Sequence, residues 1–88
     1  HTSSVFPDRK DLLTAVEPYA VSVNPYNKTV RICMTGKPMI EAKHTCFLVA
    51  GENKCSILKK ILDKEQEDIY PASYIWHHAR MPKLYASL

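Results

Sequence analysis

Lys54 stands where a cation is locally out of place. It follows the apolar run Cys46-Phe-Leu-Val-Ala50 and Gly51, and it precedes Ile57, Leu58, Ile61 and Leu62. The run has the character of a strand buried on both faces. After the glycine the apolar period becomes helical, so the stretch predicts strand, tight turn, helix. Lys54 then falls in the first helical turn, where free N–H groups already favour negative charge. Backbone N–H groups with one lysine form a seat for a phosphate. The competing reading is a solvated lysine, since an exposed misplaced charge costs only about a few tenths of a kcal/mol.

Other reactive residue types carry less. Ser3 and Ser4 lack a Gly-x-Ser-x-Gly elbow, so a turn or cap role is expected. His77 and His78 are adjacent; on a strand they would point to opposite sides, which is poor for joint metal binding, and they read as loop histidines. His44 precedes the apolar run and reads as a surface residue. Three cysteines, at 33, 46 and 55, form no Cys-x-x-Cys pair, so neither a zinc nor a redox site is expected. Their odd number and placement predict free, buried thiols in a reducing, cytoplasmic compartment.

The elements that must position these residues run in order along the chain. Asp8 is placed to cap a helix from Arg9 to about Glu17, with Leu12, Leu13 and Val16 on one face and Pro18 as its stop. Tyr19–Val23 reads as a strand, Asn24–Asn27 as a turn, and Thr29–Thr35 as a second strand. On the second strand Val30, Ile32 and Met34 share one side, and Arg31 and Cys33 the other. Gly36-Lys-Pro38 opens a short helix through Ala42. After the central strand and helix, 63–68 is a charged, solvated run. Tyr74-Ile-Trp76 reads as a short strand, with Tyr74 and Trp76 in the core, and 77–80 as loop. Pro82 begins a terminal helix carrying Leu84, Tyr85 and Leu88.

Alternating strands and helices predict an α/β class with a mainly parallel sheet flanked by helices. Four short strands with few helices leave such a sheet poorly covered, so the 88 residues are expected to be an incomplete domain. The net charge of +3 is dispersed without a basic block, which does not argue for nucleic acid. No run approaches the ~20 apolar residues of a membrane span.

His1-Thr-Ser-Ser-Val-Phe-Pro7 resembles the signature of the 6-phosphogluconolactonase family, in which Asp-Gly-His-Thr-Ala-Ser precedes an aliphatic residue, Phe and Pro. Phe47-Leu-Val-Ala-Gly-Glu-Asn-Lys54 resembles the family's Phe-Leu-Val-Thr-Gly-x-x-Lys. Arg31-Ile-Cys-Met-Thr35 and Pro71-Ala-Ser73 are weaker matches in the family's order. Ser3 stands for the usual Ala, Asp8 for a common Gly, and the closing Trp-Phe-Leu-Asp pattern survives only as Leu84-Tyr-Ala-Ser87.

The resemblance implies a Rossmann-like sheet, with residues 1–88 as the C-terminal portion of a single domain whose upstream phosphate loop lies elsewhere. It implies hydrolysis of 6-phosphoglucono-δ-lactone to 6-phosphogluconate, without cofactor or metal. His1 is the implied catalytic residue. Lys54 is the implied phosphate ligand, and Arg31 a lesser candidate whose plainer role is an arginine on the outer face of a strand. The sugar-phosphate lactone is the expected partner. Two alternatives remain: a sugar-phosphate isomerase or deaminase of the same fold, and a non-catalytic sugar-phosphate-binding module. Val5-Phe6-Pro7 after His1 favours the lactonase.

Overall fold

A computed structural model describes all 88 residues. Its elements are β1 (Tyr19–Val23), β2 (Val30–Met34), α1 (Gly36–Glu41), β3 (Thr45–Ala50), α2 (Cys55–Leu62), α3 (Pro71–His78) and β4 (Pro82–Ser87). β1 and β2 form an antiparallel hairpin. β3 and β4 form a separate parallel pair, joined by a connection that carries α2 and α3, as parallel strands require. The α/β class holds, with parallel pairing confined to β3 and β4.

The buried cluster is Val5, Leu12, Leu13, Cys33 and Ile75. It ties the N-terminal loop to β2 and α3. Gly36 is fixed by packing: a Cβ there would lie 2.1 Å from the Leu13 carbonyl oxygen, so only glycine lets α1 start against that segment. Thr35, fully buried, donates its hydroxyl to Glu17 O at 2.6 Å.

Four expectations need correction. The helix expected over 9–17 is a single 3₁₀ turn, Lys10–Leu13, without side-chain capping. That turn already buries Leu12 and Leu13. Val16 has nothing to pack against, so helical period gains no further burial. The strand expected at Tyr74–Trp76 lies inside α3. Pro71 opens this helix at its first turn, and the buried pair Ala72 and Ile75 is spaced at i, i+3; His77 and His78 end the helix rather than lying in a loop. The helix expected from Pro82 is strand β4, whose burial alternates over Pro82–Tyr85. Proline at a strand's first residue removes no needed donor. Finally, β3 is not buried on both faces. Its exposure alternates, Leu48 is 80% exposed, and β4 is its one partner.

The cysteines are free, as expected, but only Cys33 is buried; Cys46 is exposed and Cys55 half-buried. No helix is long and apolar enough to cross a membrane.

Candidate active site

The N-terminal loop folds into a tight turn. Thr2 and Val5 pair across it, with Val5 N–H donating to Thr2 O at 2.7 Å. Its two central residues, Ser3 and Ser4, have φ of 50° and 57°, the left-handed geometry that such two-residue turns demand. Serine pays a steric penalty there, and the surroundings hold it in place. Ser3 Oγ accepts from Met34 N–H at 3.1 Å, and Ser22 Oγ donates to Ser4 O at 2.7 Å. Val5 and Phe6 are buried beneath. This anchored turn carries His1, whose ring stacks on Phe6 at 4.7 Å between centroids.

From the other side, β3 ends at Ala50 and Gly51 turns the chain with φ 100°. Lys54 N–H closes this turn on Gly51 O at 3.0 Å. Lys54 is the residue that caps the start of α2, and no side chain caps that end. The expected strand, glycine turn and helix are all present. A 3₁₀ turn, Glu52–Lys54, runs directly into α2, and Cys55 N–H donates to Glu52 O, so the leading N–H groups beside Lys54 are already partly used within the chain, and the free helix start expected there is not what forms.

His1 and Lys54 line one cavity of about 330 Å³, near the lower end of the roughly 300–1,000 Å³ typical of small-molecule sites. Its floor is the C-terminal half of β3, and its walls are Ile57, Leu58 and Ile61 of α2 with Ala72 of α3. Open α/β sheets bind ligands beyond strand C-termini, and this cavity lies there. Lys54 itself has no ion-pair partner in the chain, which leaves its charge available to an anion.

Arg31 lies elsewhere. It is exposed on β2, opposite Ser22 of β1, and lines none of the cavities. His77 is also not at the cavity: it braces two helices, its Nδ1 2.8 Å from Ser73 O and its Nε2 3.1 Å from Leu62 O. Tyr70, which sequence reasoning passed over, does line the cavity. Its one sequence signal is its position before Pro71, where proline restricts it to extended backbone at a helix start.

An apolar cavity with a histidine and an unpaired lysine, at the end of a parallel strand, is a candidate site for a small anionic ligand. Residues 1–84 match the family described as glucosamine-6-phosphate isomerases/6-phosphogluconolactonase, and the chain belongs to that family. The 6-phosphogluconolactonase of Aggregatibacter actinomycetemcomitans is 38% identical over 80 residues, which is 86% of this chain and 33% of the relative. The human 6-phosphogluconolactonase is 32% identical over 79 residues, covering 89% of this chain and 31% of the relative. The crystal structure of devB protein matches with a TM-score of 0.84 at 27% identity, over 97% of this chain and 36% of that one. The chain spans about a third of the length of the proteins it matches.

Proposed function

We propose that residues 1–88 are the C-terminal portion of a single domain that hydrolyses 6-phosphoglucono-δ-lactone to 6-phosphogluconate, the hydrolytic step of the oxidative pentose phosphate pathway, in the cytoplasm. The observation that carries the reading is that His1 and Lys54, from separate motifs of the matched segment, line one cavity. The names of the curated relatives favour the lactonase over the isomerase branch of the family.

In this reaction His1 accepts a proton from water as the water oxygen bonds to the lactone carbonyl carbon. The tetrahedral intermediate then collapses. The bond from that carbon to the ring oxygen breaks, and His1 returns the proton to the departing oxygen. A histidine suits both roles because its charge changes near neutral pH. Lys54 holds the phosphate, remote from the reacting carbonyl.

Steady-state kinetics on the complete natural chain test this. A charge-assisted hydrogen bond is worth ~1.5–3 kcal/mol, so Lys54→Ala is expected to raise KM roughly ten- to a hundredfold at 1.4 kcal/mol per decade. The maximal rate should change less, because the phosphate is held alike in ground and transition state. An unchanged KM rejects the phosphate seat. A solvated lysine would instead make Ala neutral or slightly stabilising.

A further inference from the structure

The cavity walls are aliphatic except at three side chains, His1, Lys54 and Tyr70. On the lactonase reading His1 serves the carbonyl and Lys54 the phosphate. The ring hydroxyls of the substrate lie between these two ends, and aliphatic walls offer them nothing. Resting on that reading, we propose that Tyr70 is a specificity-determining residue whose phenol hydrogen-bonds a ring hydroxyl of the sugar lactone.

The backbone of Tyr70 is held on three sides. Its N–H donates to Gln66 O at 3.0 Å, and its carbonyl accepts from Ser73 N–H at 2.9 Å and Tyr74 N–H at 3.2 Å. Pro71 restricts its backbone, which lies at φ −112°, ψ 114°. The residue is therefore set in place before any ligand arrives. Its side chain is half-buried, and no protein group hydrogen-bonds its hydroxyl. The one buried side-chain oxygen without a hydrogen bond is Glu67 Oε2, which faces His78 Nε2 at 3.4 Å, so the Tyr70 hydroxyl remains reachable from solvent. A phenol donates and accepts at one oxygen, as a sugar hydroxyl does, and adds no charge to compete with Lys54 for the phosphate. A site that hydrogen-bonds a substrate hydroxyl discriminates against the analogue lacking it.

The test is Tyr70→Phe in the complete natural chain. Substrates are 6-phosphoglucono-δ-lactone and three analogues, each with one ring hydroxyl replaced by hydrogen. The variant is expected to lose about three- to tenfold in kcat/KM on the full lactone, and to match wild type on the one analogue that lacks the contacted hydroxyl. Parity with wild type on the full lactone overturns the assignment. So does an equal loss on all four substrates, which would mark a merely structural role. If wild type does not turn over the lactone, the lactonase reading fails by itself. Tyr70 is then judged by calorimetric binding of 6-phosphogluconate, where an unchanged Kd in Tyr70→Phe overturns the proposal and a three- to tenfold weaker Kd supports it.

Discussion

On the proposed reading, His1 matters for chemistry and little for folding. The residue is exposed, and its aromatic contact is the stack on Phe6, which is buried. His1→Ala should therefore lower kcat of the complete chain by roughly 10²–10⁴, the usual share of general acid–base catalysis. The melting temperature should stay within about 1–2 °C of wild type, since exposed substitutions usually cost under ~0.5 kcal/mol. Near-normal turnover in this variant would remove His1 from the mechanism. Lys54 was legible from its own strand–turn–helix setting, whereas His1 was legible only through the resemblance of the motif that carries it. Tyr70 was not legible. It reaches the cavity only because the connection after α2 folds back, and nothing in its own spacing announces that.

The elements were legible where their pattern was local and failed where a distant partner decided. The hairpin strands, α1, β3 and α2 fall within a residue or two of expectation. Tyr74-Ile-Trp76 and 82–88 exchanged types. Three aromatic and branched residues suit a strand in isolation, yet α3 is selected by Ile75 entering the core and by Phe47 meeting Trp76 edge-on at 5.7 Å. β4 exists because β3, far back in the chain, supplies its ladder. Two devices then lock these elements. His77 spans from Ser73 O to Leu62 O, and Ser73 Oγ donates to Asp63 O at 3.2 Å. His77→Ala should cost about 1–2 kcal/mol by denaturant melting, for a lost hydrogen bond and an exposed helix end. Gly36→Ala should cost more, at least about 1–3 kcal/mol of overpacking, because the clash is with the Leu13 backbone rather than a side chain that can turn away. A Gly36→Ala protein as stable as wild type would mean that α1 and the Leu13 segment separate freely.

At the scale of the molecule, apolar surface is the dominant unexplained quantity. The β1–β2 register puts Tyr19 opposite Met34, Val21 opposite Ile32 and Val23 opposite Val30, so six apolar side chains share one face, and all six are exposed, Ile32 at 81%. The other face holds Ser22 and Cys33 in the interior. The parallel pair repeats this arrangement with Leu48 opposite Tyr85, both exposed. Total accessible surface is 5857 Å², against about 5,300 Å² for a folded monomer of this mass. The excess is modest; the character of the surface is what departs from a monomer's. Covering a side chain such as Ile32 or Leu48 is worth ~1.5–3 kcal/mol, and the matched proteins are about three times as long. We infer that further chain of the same domain covers both faces. The 88-residue segment made alone should then bind an apolar dye at neutral pH, melt over a broad range, and elute in gel filtration as species larger than its 10.1 kDa. The complete chain should bind little dye and melt in one sharp step. Ile32→Lys with Leu48→Lys should reverse the association of the segment, yet destabilise the complete chain by burying charge. A segment that is monomeric, silent to the dye and sharply melting would show that these faces are ordinary surface and need no cover.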